Sequence, residues 1–84
     1  MNKELVARLG VADARNDELF TELFQEAANE LGMSDAELAE KLRVSRPTVT
    51  RWKEGRSLPH PAIRPPIFIW LTQLIEVKGT GEKR

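Results

Sequence analysis

The chain has 84 residues, with 13 basic and 13 acidic side chains and a formal net charge of zero. That length allows one small domain, and the absence of cysteine excludes disulfides and thiolate metal sites. A chain this short buries only about 60–65% of its unfolded surface, so a monomer is marginal and oligomerisation is a natural remedy.

Residues 1–10 predict a short helix. Asn2 is the candidate cap, Leu5, Val6 and Leu9 share a face, and Gly10 is the stop. So short a helix must dock on something. Its own domain is the simpler expectation, and an arm reaching a partner is the alternative. Residues 11–16 read as a linker or an early helical turn.

Residues 17–31 form the clearest long helix. Leu19, Phe20, Leu23, Phe24, Ala27, Ala28 and Leu31 recur at helical spacing, opposite a stripe of Glu18, Glu22, Glu26 and Glu30. Asp17 and Glu18 suit the N-terminal dipole, and Gly32 is placed to end the helix in the left-handed conformation. Phe20 and Phe24 are assigned to the core.

Residues 34–52 (SDAELAEKLRVSRPTVTRW) read as two short helices joined by a tight turn. Ser34 and Glu37 have the spacing of a capping box. Ser45 is the cap of the second helix, with Pro47 in its first turn, where a missing N–H costs nothing. Leu38, Ala39 and Leu42 face Val49 and Trp52, and Val44 plugs the turn. The connection Arg43-Val44-Ser45 has the length of a helix-turn-helix turn.

From residue 33 to residue 59 the chain resembles the lambda repressor/Cro family, the xenobiotic-response-element type of helix-turn-helix. The resemblance is carried by Leu38-Ala39, by Leu42, Val44 and Val49, and by the exit Trp52, Gly55, Pro59. Two positions depart from it. Arg43 stands where the family usually has glycine, and a positive φ there costs a non-glycine residue ~1 kcal/mol. Asp35 stands where the family often has a glutamine that binds phosphate, and a carboxylate repels phosphate.

The resemblance implies a compact all-α domain of four or five helices that binds double-stranded DNA. The expected division is an N-terminal helix and linker (1–16), the DNA-binding domain (17–77, motif 34–53) and a flexible polar tail (78–84). A recognition helix enters the major groove by its N-terminal residues. Val49 and Trp52 face the core, so helix 46–53 presents Arg46, Pro47, Thr48, Thr50 and Arg51 to base edges. A guanidinium fork matches guanine O6 and N7, and spacing leaves open which arginine reads a base. Ser45, Lys53, Arg56, Lys41 and Arg43 are the phosphate candidates, with capping the first duty of Ser45.

The charge distribution agrees. Residues 1–40 carry 3 basic and 10 acidic side chains, a net of −7. Residues 41–64 carry 7 basic (Lys41, Arg43, Arg46, Arg51, Lys53, Arg56, Arg64) against Glu54 alone, a net of +6. A basic block that coincides with the recognition segment is an electrostatic footprint for nucleic acid.

Residues 58–66 (LPHPAIRPP) hold four prolines, which argue against a regular helix across them. His60, the sole histidine, is read as an ordinary loop residue. Residues 67–77 (IFIWLTQLIEV) are assigned to a helix from Leu71, Leu74 and Ile75. The run is apolar almost all round, and the surplus, Phe68 and Trp70, is expected to form a partner surface. A second copy of the chain and the N-terminal helix are equal contenders to cover it.

The functional expectation is a transcription regulator, a repressor acting by occupancy, with no cofactor or metal and no enzymatic activity. The competing expectation is an antitoxin or other protein-interaction module on the same scaffold. No signal peptide is recognised and the run 67–71 is far too short to span a membrane, so the cytoplasm is expected.

Overall fold

The computed structural model describes residues 3–81, with side chains through Lys78. Five α-helices follow in order: α1 (Lys3–Val11), α2 (Asp17–Leu31), α3 (Asp35–Leu42), α4 (Arg46–Glu54) and α5 (Arg64–Gly81). A 3₁₀ turn (Pro61–Ile63) leads into α5, and no strand occurs among the described residues.

Leu5 and Leu9 bury one side of α1 against α5 and α2, so this helix docks on its own domain. The helix continues one residue past Gly10. The expected Asn2 cap lies outside the described residues. Residues 12–16 turn at Asp13, whose carbonyl accepts from Asn16 N at 3.0 Å. Asn16 then caps α2, its Oδ1 accepting from Leu19 N at 3.0 Å. Gly32 ends α2 at φ 65°, the left-handed conformation its spacing predicted.

The core is aromatic at its centre. Phe20 and Phe24 stack at 5.6 Å, and Trp52 meets both edge-on, at 6.1 and 5.7 Å. Helices α2, α4 and α5 thus share one cluster, since Phe68 of α5 lies 5.6 Å from Phe20. Phe68 is buried, which corrects its assignment to a partner surface. Ile67, Phe68, Leu71 and Ile75 form the inward face of α5, a spacing of one, three and four residues. Trp70 is half-exposed, as are Ile63 and Ile69, and Val77 is more so.

The start of α5 differs from the expectation. Arg64 already has helical geometry, and Pro65 and Pro66 occupy the first turn. Proline N atoms lack a hydrogen where the helix has no acceptor for one, so the two prolines begin this helix rather than break it. The helix also continues through Gly81, past the expected boundary at Val77. Lys78 is helical and its Nζ donates to the Glu30 carbonyl at 2.7 Å. Residues 82–84 lie outside the described residues.

Arg64 is not a surface cation. Its side chain is buried, its Nε donates to Pro59 O at 2.9 Å and its Nη1 to Ala14 O at 3.0 Å. The same Nη1 is 2.9 Å from Asp17 Oδ1. Arg64 therefore leaves the basic block counted along the sequence. Its charge is spent joining the 12–16 turn, the post-α4 loop and the start of α5.

Candidate nucleic-acid interface

The helix pair α3–α4 is built from local signals. Ser34 Oγ accepts from Glu37 N at 3.1 Å, and Glu37 Oε1 accepts from Ser34 N at 3.1 Å, a complete capping box. Arg43 ends α3 at φ 60°, ψ 44°. Val44 N donates to Ala39 O at 3.0 Å, closing the left-handed cap. The turn thus adopts the conformation that usually calls for glycine, with an arginine in it. Ser45 Oγ accepts from Thr48 N at 3.3 Å and caps α4. Gly55 ends α4 at φ 73°. Gln25 of α2 holds that end from the side, its Nε2 donating to Lys53 O.

Val49 and Trp52 are buried, which sets the rotation of α4. Arg46, Pro47 and Arg51 are exposed. Neither Arg46 nor Arg51 makes an ion pair among the described residues, so both guanidinium groups are available. Thr48 is half-buried, its hydroxyl 2.8 Å from Ser45 Oγ. Ser45 caps α4 through the Thr48 N–H, and its hydroxyl also meets the Thr48 hydroxyl.

Two expected site residues point elsewhere. Thr50 Oγ1 donates to Asp35 Oδ2 at 2.6 Å, and Lys53 Nζ donates to Asp35 Oδ1 at 2.8 Å. The Thr50 hydroxyl is therefore turned towards α3, and the Lys53 ammonium is paired within the domain. Asp35 lies 15 and 18 residues from these partners, beyond any helical spacing. Its signal in the sequence is chemical: an acid at the one motif position where an anion is unexpected, with cations on the facing helix. The hydrogen bond from Lys53, then that from Thr50, holds the Asp35 carboxyl below its ordinary 3.8, with Arg46 adding to the effect.

Among the phosphate candidates, Arg56 pairs with Glu54 at 2.7 Å, and both side chains are well exposed. A pair that open to water exchanges readily, so Arg56 remains available. Lys41 and Arg43 are exposed at the end of α3 and in the turn, with no ion pair among the described residues. His60 caps the 3₁₀ turn, its Nδ1 accepting from Ala62 N at 3.0 Å. No metal-binding cluster occurs among the described residues, and no described helix is long and apolar enough to cross a membrane.

A helix-turn-helix family model matches residues 24–63, from the second half of α2 to the 3₁₀ turn. No curated protein and no solved structure gives a match. The matched segment holds both capped helices, the left-handed turn and the buried Val49–Trp52 face. Residues 24–63 are a helix-turn-helix of the lambda repressor-like type.

Proposed function

We propose that this protein is a non-enzymatic, sequence-specific regulator of transcription that acts in the cytoplasm and represses by occupying its site on double-stranded DNA. The carrying observation is the strip Arg46-Pro47-Arg51: two unpaired guanidinium groups on a helix whose opposite face is locked in the core. The N-terminal half of α4 lies in the major groove, where Arg46 and Arg51 reach guanine edges and Pro47 makes apolar contact. Thr48 flanks them. Lys41, Arg43 and Arg56, with Ser45 at the helix start, meet phosphates and set register.

The protein acts as a dimer in this reading. Ile63, Trp70 and Val77, each at least 47% exposed, recur every seven residues and so fall on one side of α5 and the turn before it. Seven residues are close to two helical turns. A dimer of this kind reads half-sites about one DNA turn apart.

Selection from a random duplex pool, followed by a salt titration on the winner, tests the reading. A two-fold-symmetric site with a steep salt slope is expected. Failure of the folded protein to enrich any sequence at low salt would overturn it.

A second reading has an observation of its own. A groove of about 470 Å³, lined by Leu42, Val44, Ile63, Ile67 and Trp70, runs between the turn and α5. An apolar groove of this kind suits a protein partner, as an antitoxin would require. Stoichiometric co-purification of a second protein that is needed for solubility would favour this reading.

A further inference from the structure

Asp35 is the first residue of α3, yet it does not serve that helix as its cap. Ser34 and Glu37 already satisfy each other's backbone N–H groups. The Asp35 carboxylate instead faces α4, with one oxygen for each of two donors: Oδ2 for Thr50 and Oδ1 for Lys53. The pair is well sheltered, with 27% of the Asp35 side chain and 32% of the Lys53 side chain exposed. An ammonium and a hydroxyl converging on two oxygens of one anion is the arrangement a DNA phosphate would find on this surface.

We infer that Asp35 decides which side chains of α4 are offered to DNA: it occupies Lys53 and Thr50 as a phosphate would and leaves contact to Arg46 and Arg51. The inference rests on the DNA-binding reading above and deepens it. A lysine that meets a free phosphate releases condensed counterions, and each such contact steepens the dependence of log K on log salt by about 0.9. Lys53 is already neutralised by an anion 2.8 Å away, so it has no counterion to release. A phosphate brought to it would also meet the carboxylate. The same anion takes the one hydroxyl proton of Thr50, so that side chain no longer donates to a base.

The test is a set of five proteins: unaltered, K53A, D35N and D35N/K53A, each titrated with salt on the selected duplex and on an unrelated one, and T50V, whose base preference is measured on single-position variants of the selected site. K53A is expected to leave the salt slope of the otherwise unaltered protein within a few tenths. D35N steepens the slope by about 0.9 on both duplexes, equivalent to about a 3.5-fold greater loss of affinity for a fourfold rise in salt. In the D35N background, K53A removes that increment. T50V leaves the base preference of the selected site unchanged.

A slope flattened by about 0.9 in K53A alone would overturn the inference, because Lys53 would then be holding a phosphate despite Asp35. So would a D35N protein with an unchanged slope, or a T50V protein with altered base preference. If D35N does not fold, K53A and T50V alone decide. Failure of the DNA-binding reading itself is seen earlier and separately, as no duplex selected by the unaltered protein, and it removes this inference with it.

Discussion

The guanidinium carbon of Arg64 lies 5.4 Å from the centre of the Phe20 ring, on the inner side of the domain. The contact is a cation–π arrangement within a buried hydrogen-bonded site. Arg64→Ala would leave the Pro59 and Ala14 carbonyls without their donor and open a gap beside Phe20. A loss of about 2–4 kcal/mol in unfolding free energy is expected, a fall of roughly 8–32 °C in Tm for a domain of this size. Urea denaturation at matched salt checks it. Arg64→Lys, which keeps the charge without the planar fork, recovers only part of the loss.

Arg51→Ala is expected to weaken binding to the selected duplex by ~1–3 kcal/mol and to relax preference at one base position, if its guanidinium reads a base edge. Arg46→Ala has the same test. A uniform loss across unrelated duplexes, with a salt slope lower by about one, would reassign either residue to phosphate. Competition binding across single-position variants of the site separates the two.

Arg43 holds φ 60° at the end of α3. Arg43→Gly removes the steric penalty of that conformation, although glycine has more freedom to lose on folding. A net stabilisation of up to ~1 kcal/mol is expected by chemical denaturation. The same substitution flattens the salt dependence of DNA binding if Arg43 meets a phosphate, so stability and affinity move in opposite directions.

Asp35 gives the fold an acid-sensitive contact. Its carboxyl is held below the ordinary 3.8 by Lys53 and Thr50, with Arg46 nearby. The folded form therefore binds this proton less readily than the unfolded chain does. The contribution is complete above the unfolded value and is lost as pH falls through the depressed folded value. The stability difference between the unaltered protein and D35N should be constant near neutrality and shrink below about pH 4. Paired denaturation curves across that window check the sign, and carboxyl NMR titration in K53A should show the Asp35 pKa rising.

Phe68 and Trp70 are two residues apart and should behave differently. Phe68 is buried against Phe20, and Phe68→Ala is expected to cost about 3–5 kcal/mol. Trp70 is 47% exposed, and Trp70→Ala should cost the folded monomer less than ~1 kcal/mol. If α5 carries the dimer contact, Trp70→Ala instead lowers the association constant, which sedimentation equilibrium measures.

The parts of this fold that were legible in the sequence are those built from near neighbours. The Ser34–Glu37 box, the Ser45 cap and the glycine stops at 32 and 55 depend on residues three or four apart. So does the inward rotation of Val49 and Trp52. The parts that were not legible join distant segments. Arg64 looked like one more cation of a basic block because its acceptors, at Ala14 and Pro59, come together only when α1, α2 and α5 are packed. Lys53 looked like a phosphate ligand for the same reason. Phe68 is a different case. Its spacing to Leu71 and Ile75 was readable, but the apolar run 67–71 offered several faces, and the packing of α5 on α1 and α2 chose among them.

A domain without cysteine can still be stapled. Arg64 fastens Ala14, Asp17 and Pro59 to the first turn of α5 through one planar group, gathering points 50 residues apart. The last helix therefore leaves the body at a set angle, and α4, held through Trp52 to the same aromatic cluster, shares its frame. Whatever seats on the outer strip of α5 inherits a fixed orientation relative to the recognition helix. In a dimer formed there, the distance between two reading heads would be a property of the rigid body, and inserting one base pair between half-sites would throw the second head out of phase.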